Sequence, residues 1–204
     1  MSAGATVEGD GRLRLFCALR LPDEVVASLV SWQQEALVHE GVRVLQRDHL
    51  HVTVAFLGSR PASEVDAIAD AVRGAARSAR VPLFRIRAYR ETSRVAMLVL
   101  REELVPGDAY AGRANELAGD LMLRLERLGV YERERRAWMP HVTVARFRAP
   151  PKLSPEPPDV APFSPSEVAL YSSVLRSTGS QYEVLESCSL GVFHRDREVR
   201  RMRR

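Results

Sequence analysis

Cysteine is scarce in this 204-residue chain, which has only Cys17 and Cys188, set in separate apolar segments without a CxxC or Cys/His cluster. Buried free thiols fit that placement better than a disulfide or a zinc site, and they accord with a reducing compartment. Lysine is scarcer still. Lys152 is the only one among thirty basic residues, so the net charge of +4 is carried almost wholly by arginine. Arginine suits bidentate phosphate contacts, yet wholesale replacement of lysine equally reflects genome base composition. The basicity is therefore compatible with an anionic substrate but singles out no nucleic-acid partner. Long apolar runs are missing: none approaches the roughly 18 to 20 residues that a bilayer span needs. Residues Met1 to Arg14 also lack the layout of a secretory signal. The expected setting is the cytoplasm, without a membrane partner.

Hydrophobic residues make up 46% of the chain and charged residues 27%, the composition of an ordinary globular protein. Disorder and collagen are excluded, and the length suits one compact domain or two fused lobes.

Residues 1–11 read as a disordered arm, residues 12–191 as a single bilobal domain and residues 192–204 as a basic tail. Arg12 to Leu19 alternates as a strand does. Pro22-Asp23-Glu24 opens a helix whose apolar positions recur as far as Gly41. Strands follow at Val42 to Leu45 and Leu50 to Leu57, the second ended by Gly58. An Ala-rich helix, Pro61 to Ala79, precedes strands Leu83 to Tyr89 and Val95 to Leu100. The second half rhymes with the first: a helix from Tyr110 to Leu128 stopped by Gly129, then a strand at His141 to Phe147. Seven of the twelve prolines fall between Pro150 and Pro165, which predicts a loop. Strands Val168 to Leu175 and Tyr182 to Leu190 close the chain as a hairpin across Ser177-Thr178-Gly179-Ser180. Helices mixed with hairpin-linked strands predict an α+β fold with antiparallel sheets.

The most informative feature is a repeat. His51-Val52-Thr53-Val54-Ala55 recurs letter for letter as His141-Val142-Thr143-Val144-Ala145, 90 positions later. A chain of this size offers on the order of 10⁴ window pairs and five common letters match with probability about 10⁻⁶, so coincidence is roughly a one-in-a-hundred event. Each copy is β-branched and reads as a strand, in which side chains two apart share a face. His and Thr then point together, while Val52, Val54 and Phe56 point the other way as core anchors. An approximate two-fold axis between the halves would bring His51/Thr53 and His141/Thr143 together across one cleft. Two imidazoles can divide acid and base roles near neutrality, which suits in-line displacement at phosphorus. Threonine hydroxyls can donate to the non-bridging oxygens, where charge accumulates. No metal or cofactor is then required. The bland alternative, a tolerated half-exposed face, does not explain why the polar residues recur along with the valines.

At these residues the chain resembles the 2H phosphoesterase superfamily, specifically its RNA 2′,3′-cyclic phosphodiesterase branch, also called the 2′-5′ RNA ligase family. Arg14-Leu15-Phe16-Cys17-Ala18 is similar to that family's first strand. His49 to Gly58 is similar to its first motif, Pro140 to Arg146 to its second, and Leu170-Tyr171-Ser172-Ser173 with Tyr182-Glu183-Val184-Leu185 to its ending. The resemblance implies a two-lobed α+β fold with a pseudo-two-fold axis, antiparallel sheets lining a central cleft and helices outside. It also implies hydrolysis of RNA 2′,3′-cyclic phosphate ends to 2′-phosphomonoesters without metal or cofactor. By position, His51 is the proton donor to O3′, His141 the acceptor that activates water, and Thr53 and Thr143 the phosphate holders. Partners implied are RNA with a cyclic phosphate end, tRNA fragments among them, or a small cyclic nucleotide, acted on by a monomer. Cys17 stands where a second aromatic is common, and no aromatic occurs near Met97, so base stacking is where this chain departs from the pattern.

Other candidates carry weaker signals. Arg146 matches a basic residue that commonly follows the second motif, but it lies an odd number of residues from Thr143. It reaches the same face only if a bulge turns it back; otherwise it is surface charge. Phe16 can stack on a terminal base or pack in the core. His49, two residues from His51, offers with His141 a three-histidine metal site, a reading that leaves the repeated threonines unexplained. His39 and His194 carry no functional signal. The tail arginines, Arg195 to Arg204, add at most nonspecific phosphate attraction. Two further readings stay open: a 2H enzyme acting on a small cyclic nucleotide or a 2′-5′ linkage, and a catalytically silent RNA-binding module.

Overall fold

The computed structural model describes residues 11–104, 112–176 and 179–190. Its strands are β1 (Arg12–Arg20), β2 (Arg43–Val44), β3 (His51–Pro61), β4 (Leu83–Glu91), β5 (Val95–Glu103), β6 (His141–Arg146), β7 (Glu167–Arg176) and β8 (Gly179–Ser189), and its α-helices are α1 (Asp23–Ala36), α2 (Val65–Ser78) and α3 (Arg113–Arg127). Among the described residues the strands join one antiparallel sheet in the order β4-β5-β6-β3-β1-β7-β8, with β2 attached to β6. This is the α+β architecture expected. Strands from the two halves of the chain interleave: β4 and β5 sit beside β6, while β7 and β8 sit beside β1.

One face of the sheet is covered by the helices. Leu15, Cys17 and Leu19 of β1, Val52 of β3, Val142 of β6 and Leu170 of β7 join Leu29 of α1, Ile68 and Val72 of α2 and Leu121 and Leu125 of α3 in one core. The helices amount to amphipathic stripes whose apolar positions fall at helical spacing. On the opposite face, Phe16, Ala18, Ala169 and Tyr171 form a small second cluster with Tyr182 against it. β1 is thus packed on both sides at its centre, which makes it a rigid support for whatever its neighbour β3 presents.

Several boundaries differ from the sequence expectation. The first helix ends at Ala36 rather than running to Gly41, which instead occupies a turn at φ +77°. Gly58 does not end its strand. At φ +68° it follows an irregularity in the β1–β3 ladder that leaves Leu57 without a partner, and pairing resumes as far as Pro61; the left-handed backbone favours glycine there. The proline-rich stretch has no regular structure beyond a bridge between Phe163 and Phe84, whose backbone bonds of 2.7 and 2.9 Å fasten it to the edge strand β4. Covering an edge in this way blocks further strand addition at that point. Residues 1–10 of the expected 1–11 arm, residue 191 of the expected domain, the expected tail 192–204 with His194, Tyr110 and the hairpin's Ser177 and Thr178 lie outside the described residues; the pairing of Arg176 with Gly179 closes β7 and β8 as a hairpin.

Candidate active site

The two copies of the pentapeptide lie next to each other at the middle of the sheet. β3 and β6 are antiparallel neighbours that meet at Val52 and Val142, both fully buried in the helix-covered core. Pleating then sends His51, Thr53, His141 and Thr143 to the opposite face. The antiparallel bridge places His51 across from Thr143 and Thr53 across from His141. The two histidines are therefore diagonal neighbours about a local two-fold axis, with a separation on the order of 7 Å. Neither threonine hydroxyl bonds to another described residue, so both remain able to serve a ligand.

Each copy carries a bulge at the same position. Ala18 pairs with Thr53 and Cys17 with Ala55, which skips Val54; Met97 pairs with Thr143 and Ala96 with Ala145, which skips Val144. An extra residue in one strand reverses the in/out alternation beyond it. The burial profile of residues 51–57 consequently repeats in residues 141–147. Arg146 is returned to the face of Thr143 by the bulge that the sequence could name only as a condition. Phe56 was expected in the core and is instead 69% exposed on the histidine face, because Val54 consumes the extra place and Ala55 turns inward.

The bulge in β6 is held from behind. Gln33, buried in α1, donates its side-chain amide to the Val144 carbonyl at 2.6 Å and to the Leu45 carbonyl at 3.2 Å, and the Leu45 backbone N–H also donates to Val144 at 2.9 Å. Trp138 fastens the loop before β6 to the first copy: its indole N–H donates to the Thr53 carbonyl at 3.0 Å.

The two imidazoles have opposite surroundings. His141 Nδ1 lies 2.8 Å from the Met139 carbonyl. A carbonyl only accepts, so the proton sits on Nδ1 and Nε2 presents a lone pair. His51 is enclosed by rings, with Phe16 at 5.1 Å, Tyr171 at 5.8 Å and the edge of Tyr182 at 5.7 Å. Burial there, reinforced by the neighbouring His49 and His141, pushes its pKa down to about 4. Its Nδ1 is buried with no hydrogen-bond partner among the described residues, which leaves Nε2 to meet a ligand.

Phe16 does not sit where a base could stack on it. It is only 3% exposed, and its ring is taken up by Tyr171 at 4.8 Å, nearly parallel, by Tyr182 and by His51. A first-strand aromatic with Ala18 and Ala169 beside it packs inward, so Phe16 supports His51 rather than opening to solvent. The His49 ring packs at a tilt against Tyr182, with centroids 4.3 Å apart. It forms no ligand cluster with His51 and His141, and among the described residues no three His, Cys, Asp or Glu side chains gather as a metal would need.

A chamber of about 630 Å³ adjoins Thr53 and His141, walled by Phe56, Met97, Tyr131 and Trp138. The sequence points to none of Phe56, Trp138, Gln33 and Tyr182 as a site residue: it reads Phe56 as a core anchor and Tyr182 only as part of the family-like ending. Trp138, three residues before His141, offered proximity to the motif as its only signal, and a glutamine on an otherwise apolar helix stripe offered none.

Comparison with known proteins agrees with this geometry. A model of the LigT-like phosphoesterases matches residues 19–97. A Thermus thermophilus protein named RNA 2′,3′-cyclic phosphodiesterase is 30% identical over 188 residues, covering 87% of this chain and 90% of its own; one from Escherichia coli is 28% identical over 178 residues, covering 87% and 96%. Among solved structures, one from Thermus thermophilus aligns with a TM-score of 0.72 at 29% identity, covering 87% of this chain and 98% of its own. Escherichia coli LigT in its apo form aligns at 0.71 and 25% identity, covering 89% and 99%. The chain belongs to the LigT-like phosphoesterases, in the RNA 2′,3′-cyclic phosphodiesterase branch of the 2H superfamily.

Proposed function

We propose that this protein hydrolyses the 2′,3′-cyclic phosphate at RNA 3′ ends to a 2′-phosphomonoester, with His51 and His141 as the acid and base. The observation that carries the reading is the pairing of two identical His-x-Thr strands whose imidazoles flank one position on an otherwise packed sheet. His141 Nε2, the ring nitrogen without the proton, takes a proton from water as the oxygen attacks phosphorus. His51 Nε2 gives a proton to O3′ as the P–O3′ bond breaks, leaving a 3′-hydroxyl and a 2′-phosphate. Thr53 and Thr143 donate to the non-bridging oxygens as their charge grows. Both proton transfers are supplied by side chains, so the reaction balances without a metal or cofactor.

The low pKa of His51 fits this division of labour once substrate is present. Its cause is burial, and a cyclic phosphate carries a negative charge that favours the imidazolium beside it. The acid is then charged by the substrate it serves. Arg146, on the same face, adds positive potential. The chamber beside Thr53 and His141 has room for the terminal nucleoside, with Phe56 as the exposed ring. Escherichia coli LigT, 25% identical, has been crystallised with 3′-AMP, a ligand of the same class. A monomer in a reducing cytoplasm, acting on RNA ends such as tRNA fragments, completes the reading; both cysteines are free thiols.

The test is incubation with a short RNA ending in 2′,3′-cyclic phosphate, with identification of the monoester formed. A 2′-phosphate is expected, and His51→Ala and His141→Ala should each lower the rate by about 10² to 10⁴ while leaving the melting profile close to wild type. Undiminished hydrolysis by either variant would refute the acid/base pairing.

A further inference from the structure

Thr143, Met97 and Arg90 stand in one row across three strands. Met97 of β5 pairs with Thr143 of β6 on one side and with Arg90 of β4 on the other. Directly opposed residues project to the same face, and Met97 lines the chamber beside Thr53 and His141. Arg90 therefore lies on the histidine face, two strand spacings or about 10 Å from Thr143. It is exposed and bonds to no acid among the described residues. Other arginines of this hairpin do find one: Arg85 and Arg101 share the Glu103 carboxylate at 2.8 and 2.9 Å.

Positive charge continues along the edge of the sheet. Arg87 is the extra residue where the β4–β5 register shifts between Ile86 and Ala88, and it too is exposed with no acid bonded to it among the described residues. With Arg90 it walls an open groove of about 470 Å³ whose far side is Ser154, Pro155 and Pro157 of the proline-rich loop. The acid of this groove is already engaged. Glu91 accepts from the Tyr89 hydroxyl at 2.8 Å and from the backbone N–H groups of Lys152 and Leu153 at 3.0 and 2.9 Å, bonds that fasten the loop to β4. At the β4–β5 turn, Arg94 donates to the Arg148 carbonyl at 3.3 Å, which sets two more exposed cations beside the row. Guanidinium groups spread along an edge complement a chain of phosphates rather than a single anion.

We propose that Arg90 and Arg87 hold the body of the RNA: the strand 5′ to the cyclic end passes over Met97 and follows β4 into the groove. The inference rests on the cyclic phosphodiesterase reading and deepens it, because such a track serves an oligonucleotide. A free nucleoside cyclic phosphate, with its one phosphate at the threonines, has no anion to offer β4. The arginines therefore favour RNA ends over small cyclic nucleotides, through the backbone and without reading sequence.

The experiment compares adenosine 2′,3′-cyclic phosphate with a single-stranded RNA hexamer ending in 2′,3′-cyclic phosphate, over a salt series. The proteins are wild type, the double variant Arg87→Gln/Arg90→Gln, the double variant Arg87→Lys/Arg90→Lys, and Arg85→Gln as a control arginine held by Glu103. Wild type is expected to favour the hexamer in kcat/KM by roughly tenfold or more at low salt, with the advantage shrinking as salt rises. The double glutamine variant should lose most of that ratio, and its log–log salt slope for the hexamer should flatten by about 1.4, or about 0.7 per phosphate contact on a single strand. The double lysine variant should keep most of the slope, and Arg85→Gln should keep both slope and ratio. Equal use of the two substrates by wild type, an undiminished ratio in the double glutamine variant, or an equal loss in Arg85→Gln overturns the RNA track alone. Failure of wild type to open either ring overturns the parent reading and this one with it.

Discussion

Gln33 of α1 donates to the carbonyl of Val144 at 2.6 Å, across the core and 111 positions away in sequence. Val144 is the extra residue of the β6 bulge, so a buried glutamine on a distant helix holds the backbone feature that turns Arg146 toward the histidines. Gln33→Leu should fill the space but strand the Leu45 carbonyl and remove one of two donors to Val144. The expected cost is about 1–3 kcal/mol of stability, read by urea unfolding. KM should rise, because Arg146 loses its place on the face of the histidines. A variant with wild-type stability and KM would show that the bulge keeps itself.

The two threonines should matter to the chemistry and hardly to the fold. Thr53→Val and Thr143→Val keep the β-branched shape but remove a donor from the site. Each is expected to lower kcat by about 10²-fold, the order seen for loss of a single oxyanion donor, with the melting temperature nearly unchanged. A kcat within twofold of wild type in both variants would remove the threonines from the mechanism.

For the free enzyme, kcat/KM should begin to fall as pH rises above about 4, a limb read as a macroscopic value of the histidine pair, because the acid His51 must carry its proton and is pushed down to about 4. In kcat the same limb should move upward, since bound phosphate favours the charged imidazole. A rate that climbs without a maximum up to pH 9 would contradict acid/base catalysis by the pair.

Stability should respond to pH through the same ring, and its sign is set by the direction of the shift. Folded His51 stays neutral down to about 4, whereas the unfolded chain protonates it near 6.5. The unfolded state then binds more protons between those values, so stability falls as pH drops from about 6.5 to about 4 and levels off below. The loss is about 3 kcal/mol. His49 is also pushed down, chiefly by burial, and adds in the same direction. The informative quantity is therefore the difference between wild type and His51→Asn. Urea unfolding at pH 7 and pH 4.5 should show a shallower loss in the variant, and equal losses would mean that His51 is not buried as described.

Phe56→Ala should raise KM for nucleotide substrates by about 5- to 100-fold, the range of base–aromatic stacking, and Phe56→Tyr should restore most of it. A ribose 2,3-cyclic phosphate lacking a base should be handled alike by all three proteins. Equal KM values for the nucleotide would leave Phe56 an idle exposed ring.

The repeated pentapeptide was legible because β-branched residues and a letter-for-letter copy need no tertiary information. The α+β mixture, the hairpin of β7 and β8 and the proline loop were legible for the same local reasons. What the sequence did not disclose is register. Alternation predicts that Phe56 follows Val52 and Val54 into the core, and it fails because the strand gains a residue at Val54 where it pairs with β1, an irregularity that the alternation of its letters does not reveal. Phe16 was ambiguous for a related reason: an aromatic in a central strand packs on whichever face has room, and Ala18, Ala169 and Tyr171 leave room for it on the histidine side. The pairing of Arg43 with Arg146 depends on a two-residue strand, too short for any periodicity.

The bulges at Val54 and Val144 occupy equivalent points of the duplicated strands, yet they deliver an aromatic ring on one side and a guanidinium on the other. A perfectly duplicated cradle would have no means of telling which way round a nucleotide lies across it. By changing only the sixth letter of each copy, the chain keeps matched machinery at the centre while giving it polarity. On the proposed reading, the cyclic ester lies across it in one orientation, with its base at the Phe56 end.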